Sequence, residues 1–218
     1  MTSRPPGAEI HPMIFRIAIA VTVLFALLVG YKAYRVYETS HAVSAMFETR
    51  TPTAIGPDGA DLTVVKFMDY ACVYCRNVHP ELLKAIKEDG NVRLIVRPLP
   101  SKSEDGSSFG RLAYAAASLG KFEQAHDFMV QNFGPLDEAL IDKMAAAIGV
   151  EADAVHQAYE NPDIAGEIDH NMSLFHAVGG TATPTFFIGP EIVFIPANKM
   201  PLAADFKTMF AQAREIKK

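Results

Sequence analysis

The chain has 218 residues, which is room for one ordinary domain and a tether but not for two large domains. Half of its residues are hydrophobic and 21% are charged, so a packed core is within reach. A net charge of −5, with no basic stripe interleaved with aromatics, excludes an electrostatic case for nucleic-acid binding.

Arg4, His11 and Arg16 precede an apolar run from Ile17 to Val29. From Met13 to Tyr31 about 19 residues are apolar or small apart from Arg16 and Thr22, near the minimum that crosses a bilayer. Residues 1–31 therefore read as a membrane anchor or a signal. No small-x-small cleavage site follows the run, which favours an uncleaved anchor. Arg16 suits the headgroups on one side, and Tyr31, Tyr34 and Tyr37 suit the opposite interface. Charge alone leaves the orientation open, with Arg4 and Arg16 before the run and Lys32 and Arg35 after it.

Residues 32–51 carry apolar positions at roughly helical spacing, with Val36, Val43, Met46 and Phe47 on one face. They read as a spacer. The alternative is a self-associating stalk, and hence a homo-oligomer, but the heptad pattern is too short to favour it.

Turn chemistry at Gly56-Pro57-Asp58-Gly59 puts the start of the folded domain near residue 52. Leu62 to Met68 predicts a central strand, and a helix follows from Cys72 to Glu88 with Pro80 inside it. Asn91 to Arg97 predicts a second strand, ended by Pro98 and Pro100. Residues 104–178 are almost wholly helical in pattern, with breaks at Gly120, Gly134-Pro135, Gly149 and Asn161-Pro162. Thr185 to Ile188 and Glu191 to Ile195 predict a hairpin around Gly189-Pro190, and Met200 to Lys217 a closing helix. The order predicts an α/β domain formed by 52–103 and 179–218, interrupted by a separate helical lobe at 104–178.

The only two cysteines form Cys72-Val73-Tyr74-Cys75. A disulfide stabilises by closing a long loop, and this pair closes almost none, so a reactive dithiol is the better reading. At a helix start the backbone N–H groups are unsatisfied and the macrodipole is positive. Both favour a thiolate on Cys72, with Cys75 placed one turn on to attack a mixed disulfide. A zinc site would need a second ligand pair. No third cysteine exists, and His79, His126, His156, His170 and His176 lack ligand spacing, so no metal is expected. Phe67 and Tyr70 read as core or groove wall, His79 as helix surface, and Met68 as part of a greasy client surface.

Taken together, F-x-D-Y-x-C-x-Y-C-R at 67–76 and G-T-x-T-P-T-F-F-I at 180–188 resemble the DsbA-type branch of the thioredoxin superfamily. The sequence is most similar to the ScsC-like members of that branch, over roughly residues 56–216. The resemblance implies a thioredoxin fold with a helical insertion. It also implies a cis Pro184 facing the dithiol, with Thr183 offering backbone hydrogen bonds to an extended substrate. Thr183, Pro184, Val73 and Tyr74 are thus the expected substrate-positioning residues beside the catalytic Cys72 and Cys75. Relatives often carry a buried acid where this chain has Lys66, whose role is left open.

The activity this implies is thiol:disulfide exchange on exported proteins, with the Cys72–Cys75 disulfide as the redox group and no other cofactor. Val73-Tyr74 lacks the histidine typical of strong oxidases, and Tyr74 with Thr183 resembles the isomerase branch. Oxidase and isomerase both stay open, with a lean towards oxidation. The expected partners are extracytoplasmic proteins carrying thiols or disulfides and a DsbB-like or DsbD-like membrane protein. The expected location is the inner membrane with the catalytic domain in the periplasm, or a cleaved periplasmic form. The rival class is a chaperone-like module that binds clients without redox turnover.

Overall fold

The computed structural model describes residues 12–48, 53–100, 106–132, 134–190, 192–196 and 199–217. The predicted boundaries at 51/52 and 103/104, together with Arg4, His11 and Glu191, lie outside the described residues. The chain divides into two units, one ending at His41 and the other beginning at Ala42. Helix α1 (Pro12–Met46) supplies the described residues of the first unit up to His41, and its large apolar side chains from Met13 to Val29 are exposed. A helix of 35 residues is about 50 Å long against a hydrocarbon core of about 30 Å, so its apolar part is long enough to cross a membrane.

The second unit begins with the last turn of α1. Ala42 and Met46, four apart on one face, are buried against Val65, Phe67 and Phe187, with Val43, Ala45 and Phe47 beside them. This corrects the spacer reading of 32–51 and the domain start near residue 52. Ala42 and Met46 belong to the core, and Val36 is exposed and outside the buried stripe.

The elements that follow are β1 (Ala54–Ile55), β2 (Leu62–Met68), α2 (Val73–Asp89), β3 (Val92–Pro98), α3 (Gly106–Ser118), α4 (Phe122–Gln131), α5 (Glu138–Ile148), α6 (Ala152–Tyr159), α7 (Pro162–Ala177), β4 (Thr185–Ile188), β5 (Ile192–Phe194) and α8 (Ala203–Ile216). The strands lie in the order β1-β3-β2-β4-β5. β2 and β3 are parallel, as a strand–helix–strand crossover requires, and the other pairs are antiparallel. This is a thioredoxin fold whose sheet is interrupted in sequence by helices.

Alternation along the strands splits the core in two. Leu62, Val64 and Met68 of β2, with Val92, Leu94 and Val96 of β3, face the layer built on α2, α3 and α8. Val65, Phe67 and Ile95 face the end of α1 and the end of α7, where Leu174 and Phe175 lie. Because β2 is central, every position but Thr63 is buried, and Met68 is core rather than the client surface expected of it. The predicted helix breaks fall between α3 and α7 as expected. The insertion is not a lobe apart, however, because Phe109, Leu112, Met129 and Met144 belong to the same core cluster as Val78 and Leu94.

Candidate functional site

The turn that leads from β2 to α2 is built by Asp69. Its carboxylate accepts the Ala71 N–H at 2.8 Å and its carbonyl accepts the Cys72 N–H at 3.1 Å, an Asx turn that redirects the chain. Cys72 then caps α2 in extended backbone, its Sγ accepting the Cys75 N–H at 3.4 Å. N-caps are usually Ser, Thr, Asp or Asn, because an acceptor must meet the orphan amides of the first turn. Here sulfur takes that place, and a thiolate is the better acceptor.

The consequence is electrostatic. Hydrogen bonding from the Cys75 thiol, with further bonds from the Cys75 backbone, Thr183 and the Tyr74 backbone, outweighs partial burial and brings Cys72 down to about 5. Cys75 goes the other way. Burial pushes its thiol up, and its hydrogen bond to Cys72 and the charge on Cys72 push it further, against a weaker pull from the Asp69 backbone and Lys66. Both sulfurs are free thiols, so this is the reduced form of the pair.

The second motif arrives through the sheet. Thr185 lies opposite Phe67, which sets the residues just before β4 level with the Asp69 turn. The Thr183–Pro184 bond is cis, Pro184 is buried, and the Thr183 carbonyl is 3.5 Å from Cys72 Sγ. Val73 and Tyr74 are 55% and 60% exposed on the rim. Beside Cys72 and Thr183 a cleft of about 420 Å³ is lined by Asp69, Leu99, Pro100, Met172, Phe175, Thr181 and Ala182. The six expected site residues therefore meet around one sulfur.

Gly180 shapes the approach. A Cβ there would lie 2.2 Å from the Phe175 ring, which lines the cleft and is itself buried. Gly180→Ala is expected to destabilise the fold by about 1–3 kcal/mol, as overpacking does, and to loosen the Thr183 loop. Urea unfolding checks this, and an unchanged midpoint would contradict it.

Behind Cys75 lies a polar pocket that the sequence reading missed. Lys66 is fully buried and its Nζ donates to the Cys75 carbonyl at 3.1 Å. His79, expected on the helix surface, is buried because it continues the stripe of Cys75, Val78, Leu82 and Ile86. Its Nε2 meets Asp127 Oδ1 at 3.2 Å, and its ring stands edge-on to His126 at 4.6 Å. His126 Nδ1 in turn pairs with the Tyr70 hydroxyl at 2.6 Å. The signal for Lys66 was a lone cation inside an otherwise apolar strand. Nothing local marked His126 or Asp127. Among the described residues no group of three His, Cys, Asp or Glu side chains gathers as a metal site.

The fold defines the class, and the comparisons agree on it. A family model described as thioredoxin matches residues 48–204, so the chain belongs to the thioredoxin family, here with helices inserted between β3 and β4. A thioredoxin-like oxidoreductase from Silicibacter pomeroyi DSS-3 superimposes with a TM-score of 0.69 at 27% identity, covering 78% of this chain and 95% of its own. A linker-deletion mutant of Proteus mirabilis ScsC gives a TM-score of 0.67 at 20% identity, covering 97% of this chain and 100% of its own. A Na(+)/H(+) antiporter NhaA of Herminiimonas arsenicoxydans is 27% identical over 183 residues, 79% of this chain. That match is only 29% of the antiporter's length, so the chain spans less than a third of this curated relative.

Proposed function

We propose that the protein is a thiol:disulfide oxidoreductase that exchanges disulfides with extracytoplasmic proteins through Cys72 and Cys75. One observation carries the reading: the Cys72 sulfur caps α2, reaches solvent beside an apolar cleft, and is held as a thiolate at neutral pH. In the oxidised form a substrate thiolate attacks Cys72 Sγ. The Cys72–Cys75 bond breaks, Cys75 leaves with the electron pair, and a Cys72–substrate disulfide forms. A second substrate thiolate then displaces Cys72, so two substrate thiols become a disulfide and the two electrons stay in the dithiol. A low-pKa sulfur leaves readily, which supports oxidation, and isomerisation runs through the same mixed disulfide.

Thr183 presents its backbone to an extended substrate in the manner of an added strand, Pro184 seats that loop at the head of β4, and Val73 and Tyr74 form the exposed rim that a client meets. The redox-active pair serves as the only cofactor, and a DsbB-like or DsbD-like membrane protein resets it. α1 serves as the inner-membrane anchor of a periplasmic domain, with a cleaved periplasmic form as the alternative. In the insulin-reduction assay with dithiothreitol, Cys72→Ser is expected to fall to background. Turnover equal to wild type would instead favour a client-binding, chaperone-like module.

A further inference from the structure

The cleft beside Cys72 has two apolar walls that come from distant parts of the chain. Leu99 and Pro100 follow β3, whereas Met172 and Phe175 lie on α7. We propose that Asn171 is a positioning residue, whose side-chain amide fixes the spacing of these walls and thereby the affinity for the client side chain next to the reacting cysteine. The inference rests on the thiol–disulfide reading above and adds a residue to it.

Asn171 is fully buried on α7, one residue before Met172 and four before Phe175. Its Nδ2 donates to the carbonyl of Pro98, the residue before Leu99, at 2.9 Å. One hydrogen bond therefore joins the supports of the two walls. The same NH2 group also donates to the Tyr114 hydroxyl of α3 at 2.8 Å. Which way the amide faces is set by Arg97. A guanidinium only donates, and Arg97 Nη1 reaches Asn171 Oδ1 at 3.2 Å, which turns the NH2 group towards Pro98 and Tyr114.

Each wall is firm by itself. The Leu99 N–H donates to the Met68 carbonyl at 2.7 Å, which pins the first wall to the end of β2. The buried Phe175 ring packs on Phe67 with centroids 5.4 Å apart, which seats the second. Helix α3 closes on both supports at Gly110, where a Cβ would lie 2.8 Å from Ile168 Cδ1 of α7 and 3.2 Å from Pro98 Cβ. The spacing between the walls thus depends on the seam that the Asn171 amide spans. A client side chain in the cleft of about 420 Å³ gains contacts from both walls only at that spacing. A gap of roughly 0.5–1 Å already forfeits about a quarter to a half of the contact attraction.

Two peptides, with Phe or Gly beside their single cysteine, each carried as a mixed disulfide with thionitrobenzoate, test this on the reduced full chain in detergent micelles. The Cys72 thiolate attacks the peptide sulfur, a Cys72–peptide disulfide forms, and thionitrobenzoate leaves with the electron pair as a coloured thiolate. Below saturation, wild type is expected to react about tenfold faster with the Phe peptide, the lower end of what burying an apolar side chain gives. Asn171→Asp keeps an acceptor for Arg97 but sets a carboxylate against the Pro98 carbonyl, so the seam opens while the guanidinium keeps its partner. It is expected to erase the preference by raising the half-saturation concentration of the Phe peptide about tenfold, with the maximal rate little changed. Tyr114→Phe takes the other bond from the same NH2 group, leaves the one to Pro98, and is expected to keep the preference. A wild-type preference in Asn171→Asp overturns the proposal, and so does an equal loss in Tyr114→Phe, which would reflect general loosening. Equal rates for the two peptides in wild type overturn it whatever the variants' folding. No thionitrobenzoate release from wild type with either peptide would sink the thiol–disulfide reading instead.

Discussion

The ultraviolet thiolate absorbance of the reduced protein is expected to titrate near pH 5, against about 8.5 for a free cysteine, and Cys72→Ser is expected to remove that step. The cause is local. Cys72 Sγ sits where an N-cap oxygen normally sits, and the Cys75 thiol and backbone N–H both point at it. Because the folded value lies below the unfolded one, the thiolate stabilises the folded, reduced protein above about pH 8.5, and that gain is lost as pH falls through 5. The melting temperatures of reduced wild type and Cys72→Ser should therefore converge towards pH 5 and separate at pH 8. The same stabilisation favours the dithiol over the disulfide. With Cys72 between the values near 7 and 3.5 typical of thioredoxin and DsbA, the reduction potential is expected between about −270 and −120 mV. A step near 8.5 would mean that the helix start does not govern the sulfur.

Arg97→Met is expected to cost about 3–5 kcal/mol, the usual range for breaking a buried charged network, although Arg97 is far in sequence from every residue it holds. Arg97 is buried on β3. Its Nε donates to the Met46 carbonyl at 3.2 Å, its Nη2 to the carbonyls of Ala45 and Met46 at 3.0 Å and also to that of Glu48, and its Nη1 to Asn171 Oδ1 at 3.2 Å. Asn171 passes the network on to the Pro98 carbonyl and the Tyr114 hydroxyl. The last carbonyls of a helix have no partner within it, and a cation there is favoured by the dipole. Arg97 fills that role for α1. A chain that begins at residue 53 should suffer more than the point variant, because it also uncovers Val65 and Phe67 and leaves the guanidinium without its carbonyls. Urea unfolding of chains beginning at residues 38 and 53 makes the comparison. Equal midpoints would show that the last turn of α1 adds nothing to the core.

The dithiol was legible because its chemistry depends on neighbours in sequence: an apolar strand, an Asp-containing turn, and a helix that begins at the first cysteine. The helix breaks at Gly120, Gly149 and Asn161-Pro162 were legible for the same reason. Thr183 and Pro184 became legible only through their joint occurrence with the cysteines, since a Thr-Pro-Thr has no local meaning. His79 was misplaced although its spacing from Cys75, Val78 and Leu82 already marked the buried stripe. Met68 was misplaced although the reading of Leu62 to Met68 as a central strand already implied that β2 is covered on both faces.

Local order along the chain thus determined a strand–dithiol–helix unit, an interrupted α/β domain and an apolar leader, since each is set by interactions a few residues long. Tertiary structure decided the rest. The pairing of β2 between β3 and β4 buries Lys66 behind Cys75 and sets Thr183 against Cys72, and β3 carries Arg97 to the end of α1. Lys66 and Cys75 are nine positions apart, but the other contacts join residues tens to more than a hundred positions apart, and only the folded sheet brings them within a hydrogen bond of one another.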